Sequence, residues 1–387
     1  MSVPFFKLSP CDEELDNVRQ VLESGWLTTG KWAQQLEGLF ADYCGVQHAL
    51  AVNSCTAALH LGIEALGIGP GDKVLVPSLT FTASAEVIRY VGADPVFVDI
   101  DRDTLLLDPQ VVDRTLEQTP GARAVVAVHF GGQSVALDGD AGLLAVCRKH
   151  NVKLVQDAAH AFPASDTYGP VGSVGDVTCF SFYANKTITS GEGGMLVTND
   201  DEVAKRVKMM RLHGIDRDVW DRFTGTRASS WVYDVKAPGF KYNMPDLNAA
   251  IAVAQFHKAE SFRQARQVII QQYRQAFSDI PGLTLVQSRV KDEQHSHHLF
   301  PIVLNEKSPI SRDDFISTLA DRGVSTSVHY RPLHQMSYYR EKYELDPQAF
   351  PNTEAYWQGC VSLPAYPAMS QESIDRVITE VTHLLTR

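Results

Sequence analysis

The sequence of 387 residues has no Cys-x-x-Cys pair. Its six cysteines stand apart at 11, 44, 55, 147, 179 and 360, which argues against a zinc site or a disulfide framework and for reduced thiols. No apolar run approaches the roughly 20 residues that a membrane helix needs. The strongest run, Ala124 to Phe130, is strand-sized and contains His129. There is no Lys/Arg-rich block either. With 35 basic and 46 acidic residues the net charge is −11, the wrong sign for a face that neutralises a phosphate backbone. Nucleic acid and membrane are therefore not expected as partners. The first ten residues lack a basic stretch followed by an apolar one, so the cytoplasm is the expected compartment. Low-complexity segments and repeats of solenoid period are also missing.

What is present is the composition of a globular protein, 44% hydrophobic and 21% charged, with length enough for a large domain and a smaller one. Short β-rich runs alternate with helical patterns over residues 47–200. They are Ala49–Val52, Lys73–Val76, Pro95–Asp99, Ala124–Phe130, Lys153–Gln156, Val177–Phe182 and Met195–Thr198. Most are apolar without alternation, as strands covered on both faces are, so a mainly parallel sheet with helices on either side is expected. Ala57–Leu66 and Ala141–His150 read as crossover helices. The texture changes after Pro245: Asp246 is placed as the N-cap of a long helix to about Phe277, broken by Pro281-Gly282. We set the domain boundary there, giving a large α/β domain over 1–245 and a small α+β domain over 246–387. The latter is expected to hold strands at His298–Leu304 and Val324–His329, a helix after Ser311 and a closing helix from Gln371.

Two familiar phosphate motifs fail on inspection. Gly25-Trp-Leu-Thr-Thr-Gly30-Lys31 copies a phosphate loop, but Trp32 stands where Ser or Thr must hold magnesium, and a helix rather than a strand precedes it. Gly191-Glu-Gly-Gly194 lacks the third glycine of a dinucleotide fingerprint and precedes a strand.

Three features at strand ends carry the chemistry. Asp157 closes the buried run Lys-Leu-Val-Gln-Asp and is followed by Ala158 and Ala159, which leave room for another group. It reads either as a carboxylate awaiting a cation or as a helix N-cap. Lys186 follows the strand Cys179–Tyr183. It is either a solvated loop lysine or a desolvated amine of lowered pKa, suited to forming an imine. Asn53-Ser-Cys-Thr-Ala57 opens a helix, and its N–H groups and hydroxyls form either a plain cap or an anion site. An anion cradle, an acid and an imine-forming lysine on neighbouring strand ends together match the needs of pyridoxal 5'-phosphate.

The ordered motifs Gln156-Asp-Ala-Ala-His160, Gly172-Ser-Val-Gly-Asp176, Phe180-Ser-Phe182, Lys186 and Gly191-Glu-Gly-Gly194 resemble the DegT/StrS-type aminotransferases of nucleotide sugars. So do Glu23–Gly30, Pro77–Thr82, His213-Gly214, Pro238–Asn243 and Ser362–Pro364, so the resemblance spans nearly the whole chain. Within that family His160, Ile310–Asp313, His329–Arg331, Tyr338–Glu341 and Pro351–Glu354 are similar to the UDP-4-amino-4-deoxy-L-arabinose aminotransferase branch. The resemblance implies the aspartate aminotransferase-like fold type I of pyridoxal-phosphate enzymes. It implies that Lys186 carries the cofactor, Asp157 pairs with its ring nitrogen, Phe81 stacks on the ring and His160 lies near the ring and its phenolic oxygen. Thr56, Ala57 and Ser181 would hold the phosphate, with Asn243 reaching over from a second subunit, hence a homodimer. Trp26 and Thr28 would wall the substrate pocket beside His329, Trp26 reading equally as a core or entry-loop residue. Independently of the resemblance, Arg331, flanked by His329 and His334, reads either as the cation that pairs with a phosphate of the sugar nucleotide or as a surface arginine. Cys55 stands where many members have Gly or Ala, and His160 where most have Gln.

The expected activity is transfer of the amino group of L-glutamate to a nucleotide-linked keto sugar, at C4 of a UDP-4-keto sugar, for polysaccharide or lipopolysaccharide synthesis. The rivals are a sugar dehydratase of the same fold, which by resemblance would carry histidine in place of Lys186, and a non-catalytic cofactor-binding regulator. His295, His297 and His298 are not expected to hold a metal, because on a strand only His295 and His297 share a face and no acid or thiol completes the set.

Overall fold

The apolar runs without alternation become the centre of a seven-stranded sheet. The computed structural model describes residues 2–216 and 233–386. Its strands begin with β1 (His48–Val52), β2 (Lys73–Pro77), β3 (Asp94–Val98), β4 (Ala122–Val128) and β5 (Lys153–Asp157). A small hairpin, β6 (Ser165–Asp166) and β7 (Gly169–Pro170), separates these from β8 (Val177–Ser181) and β9 (Gly194–Thr198). The sheet order is β1-β9-β8-β5-β4-β2-β3, and β9 alone runs antiparallel to its neighbours. All seven expected strands are present, with small shifts at their ends.

Helices α1 (Asp12–Ser24), α2 (Lys31–Cys44), α3 (Cys55–Ala65), α4 (Ala83–Tyr90), α5 (Pro109–Glu117), α6 (Leu143–His150) and α7 (Asp201–Met210) surround this sheet. Alternate side chains of each strand enter different cores. Val74, Val76, Val126 and Val155 pack with Leu59, Ile63, Val87 and Val207 of α3, α4 and α7. Leu75, Val125 and Leu154 pack with Val112, Leu116, Leu143 and Val146 of α5 and α6. A two-residue side-chain period between two helical layers makes both parities apolar, which is why the runs show no alternation.

The long helix α8 (Asp246–Phe277) serves two cores. Its first half sets Ala249, Ala250 and Val253 against Phe40 and Phe180, and its second half sets Ile269, Ile270, Tyr273 and Phe277 against the smaller sheet. The expected division at 245/246 falls at its first residue. Asp246 is not the N-cap of this helix; Pro245 is. Its carboxylate instead accepts N–H bonds from Gly30 at 2.8 Å, Ala33 at 3.1 Å and Trp32 at 3.3 Å. It caps α2, a helix more than two hundred residues earlier in the chain.

The smaller sheet is β10 (Leu283–Leu285), β11 (Phe300–Leu304) and β12 (Cys360–Leu363), all antiparallel. Helices α9 (Arg312–Asp321), α10 (Ser337–Tyr343), α11 (Pro351–Gly359) and α12 (Gln371–Leu385) complete this region. The strand expected from His298 starts at Phe300, where pairing with Leu363 of β12 begins; the chain turns just before, with His297 at a φ of 56°. The strand expected at Val324–His329 does not form. Val324 bridges Val3 and Ser327 bridges Ser362 at single points, while the short β12 occupies the place beside β11.

Candidate active site

The C-terminal ends of β4, β5 and β8, neighbours in the sheet, bring Val128, Asp157 and Ser181 to the rim of one cavity of about 410 Å³. This is the strand edge at which open α/β sheets bind ligands. The start of α3, the Phe81 turn after β2, the Lys186 loop and the His329-Tyr330 pair close the cavity around it.

Asp157 is buried, and its two oxygens have different partners. Oδ2 accepts the Ser84 hydroxyl at 2.7 Å, and Oδ1 accepts the Ala159 N–H at 3.1 Å. The second bond braces the turn after β5 and the first comes from α4; no helix begins at this point, so Asp157 is not the helix N-cap that the sequence also allowed. Burial raises the proton affinity of the carboxyl above the ordinary aspartate range, and Ser84, Ala159 and Lys186 offset this only in part. Such a carboxylate favours a bound cation.

Lys186 lines the same cavity, in the loop after β8. Desolvation lowers its amine to about 8, against the pull of Asp157 and Cys55. An amine with this pKa has a substantial neutral fraction near physiological pH, as imine chemistry and proton transfer require. Cys55 sits beside it with its thiol pushed well up, by burial first and then by Asp157, so it is a small filler rather than a nucleophile.

The α3 N-terminus forms the opposite wall. Ser54 is the N-cap, and its hydroxyl accepts the Ala57 N–H at 3.0 Å. The cap takes this donor, and Ala57 is absent from the cavity wall, whereas Cys55, Thr56 and Ser181 line it. Gly194 of β9 lies against this turn: a Cβ there would come within 2.6 Å of the Cys55 nitrogen. No larger residue allows the sheet to approach the helix end this closely.

Phe81 lines the cavity and is 56% exposed, an aromatic face open to a flat ligand. Its ring lies 5.8 Å from that of Tyr330, whose hydroxyl is 3.0 Å from His160 Nε2. His329 lines the same side and is held by a bond of its Nδ1 to the Ser362 hydroxyl at 2.8 Å.

Other expected site residues lie elsewhere in the chain. Asn243 donates to the Thr29 hydroxyl at 2.7 Å and, with Thr29, lines a separate groove of about 720 Å³ on the β1 side of the molecule. Trp26 and Thr28 belong to the α1–α2 connection, where Trp26 Nε1 donates to the Thr29 carbonyl at 3.1 Å. Arg331 is exposed, with its guanidinium 3.4 Å from the Gln335 carbonyl, outside the cavity wall. His297 Nε2 bonds to the Asp292 carbonyl at 2.8 Å, and the His297 N–H donates to His295 Nδ1 at 2.8 Å. Sequence reading missed Tyr330 and Ser84. Tyr330 lay inside a quoted motif, whereas nothing local marks Ser84.

The family model for the DegT/DnrJ/EryC1/StrS aminotransferase family matches residues 10–382. The spore coat polysaccharide biosynthesis protein SpsC of Bacillus subtilis is 42% identical over 376 residues, 96% of this chain and 94% of that one. The PLP form of Spr1654 from Streptococcus pneumoniae superposes with a TM-score of 0.90 at 29% identity, over 100% of this chain and 99% of that one. Helicobacter pylori PseC, an aminotransferase involved in the biosynthesis of pseudoaminic acid, gives 0.90 at 27% identity, with both chains fully covered. The architecture is therefore the aspartate aminotransferase-like fold type I, and the reading as a non-catalytic regulator is set aside. Matched by the family model over residues 10–382 and by a relative of 42% identity over 96% of its length, this enzyme belongs to the DegT/DnrJ/EryC1/StrS aminotransferase family.

Proposed function

We propose that this chain is a pyridoxal 5'-phosphate-dependent aminotransferase that moves the amino group of L-glutamate to a nucleotide-linked keto sugar, at C4 of a UDP-4-keto sugar, releasing 2-oxoglutarate. The observation that carries this reading is one cavity holding a lowered lysine amine, a buried carboxylate and the open end of α3. These residues fit the cofactor: an anion end for its phosphate, an acid for its nitrogen, an amine for its aldehyde and an exposed ring to stack on. The relatives named for polysaccharide and pseudoaminic acid biosynthesis support a sugar acceptor.

When bound, pyridoxal phosphate supplies a carbonyl that exchanges amines and a ring that withdraws electrons from the substrate carbon. Thr56 and Ser181 hold the phosphate together with the first N–H groups of α3. Asp157, oriented by Ser84, keeps the ring nitrogen protonated. With the cofactor bound, the Lys186 amine would take the proton from the amino-bearing carbon of glutamate and return one during delivery to the sugar. His329 faces the substrate. Trp26, Thr28 and Asn243 act from a second copy of the chain, and Arg331 meets the nucleotide phosphates at the mouth of the shared site. The working form is a cytoplasmic homodimer.

The test supplies purified protein with cofactor, L-glutamate and a panel of UDP-, dTDP- and GDP-linked keto sugars, and measures 2-oxoglutarate. Release that depends on a UDP-4-keto sugar is the expected result. No release with any acceptor would refute the substrate assignment.

A further inference from the structure

The imidazole of His160 has both nitrogens committed. The Gly131 N–H can only donate, so Nδ1, 3.3 Å away, is an acceptor and carries no proton. The proton of the neutral ring then sits on Nε2, 3.0 Å from the Tyr330 hydroxyl oxygen, so the imidazole donates and the phenol accepts. Burial keeps His160 in this neutral form, with Lys186 and His329 nearby adding to the effect. Tyr330 therefore keeps its own hydrogen for another acceptor, and among the described residues none takes it. The pair is clamped: His298 packs on the imidazole at 4.6 Å, and Phe130 packs edge-on to Tyr330 at 6.2 Å.

On a pyridoxal ring the 3-oxygen lies between the nitrogen and the carbon that bears the aldehyde. A group that meets it must stand between Asp157 and Lys186. Tyr330 lies within electrostatic reach of Asp157, and His160 within reach of Lys186, with both lining the cavity. We propose that Tyr330, oriented by His160, donates the hydrogen bond to the cofactor 3-oxygen, and that His160 acts on this oxygen only through Tyr330. This rests on the cofactor reading above and changes one part of it, because the donor of His160 is already engaged. His160 is thus a positioning residue, and Tyr330 is the group that touches the cofactor.

The experiment titrates pyridoxal phosphate into the full-length protein and records both the affinity and the absorbance maximum of the bound cofactor. Tyr330→Phe is expected to weaken binding about tenfold and to shift the maximum. His160→Gln is expected to change both readouts in the wild-type background and neither in the Tyr330→Phe background, a coupling that a merely structural role would not produce. An unchanged spectrum and affinity in Tyr330→Phe would overturn the proposal. So would a His160→Gln effect of equal size in both backgrounds. If the wild-type protein takes up no pyridoxal phosphate, the reading beneath the proposal fails as well, and the two failures are told apart.

Discussion

Ser84 on α4 donates its hydroxyl to Asp157 at the end of β5, at 2.7 Å and across 73 residues of chain. Together with the Ala159 N–H on the other oxygen the bond fixes how the carboxylate is turned, and it offsets part of the burial that favours the protonated acid. Ser84→Ala is expected to cost about 1 kcal/mol of stability and to lower activity severalfold. Asp157→Asn is expected to lower kcat on the order of a hundredfold with a far smaller effect on folding. Steady-state kinetics and thermal melts on both variants make the check. Equal losses of rate and stability in Asp157→Asn would leave only a role in bracing the turn after β5.

In the cofactor-free protein burial lowers the Lys186 amine to about 8, so imine formation with added pyridoxal phosphate, followed by absorbance, is expected to speed up as pH rises through that value. The sign for stability follows from the same shift. Between about 8 and the unfolded value of 10.5 the unfolded chain binds the extra proton, so cofactor-free protein gains stability as pH rises across this window. Lys186→Met should abolish transamination and flatten that gain. Denaturant melts at pH 7.5–10.5, made without cofactor, read the difference.

Gly194→Ala places a Cβ against the backbone of Ser54 and Cys55, which cannot move aside without opening the head of α3. We expect cofactor affinity to fall at least tenfold, more than thermal stability falls, as measured by fluorescence titration and calorimetry. A variant that binds as tightly as wild type would show that the α3 end is not the phosphate wall.

His129 is fully buried: Nδ1 accepts the Val135 N–H at 3.1 Å, and Nε2 reaches Gln156 at 3.0 Å. Burial lowers its pKa from 6.5 to about 4. An imidazole depressed in the fold binds fewer protons than in the unfolded chain between these values. Its stabilising contribution is therefore complete above pH 6.5 and is lost as pH falls toward 4. The loss from this one side chain approaches roughly 3 kcal/mol. His129→Gln should make the stability profile from pH 6.5 to 4 less steep in urea melts, other buried histidines keeping the remainder of the slope; an unchanged slope would count against it.

The larger sheet was readable because strands buried on both faces leave an unbroken apolar signature, and Asp157 and Lys186 stood out as charges at the ends of such runs. The smaller sheet was harder. Val324–His329 carries more β-branched residues than the four-residue Cys360–Leu363, yet only the latter pairs with β11, while Ser327 makes a single bridge to Ser362, so the choice is settled by packing rather than by pattern. That Ala57 does not line the cavity could not be read from the sequence, since a helix start has only a few free N–H groups and the Ser54 cap takes one of them. Asp246 was read as a local cap, and its actual partners on α2 lie beyond any window along the chain. Tyr330 followed a supposed strand, which hid its place over the cavity.

Because α8 gives one end of its apolar surface to each core, neither core is complete without the other. Separate expression of 1–245 would leave Phe40 and Phe180 without the cover of Ala249 and Val253, and 246–387 would display that same alanine-rich stripe to water. The two portions should be recoverable only when produced together, with α8 supplied intact to both.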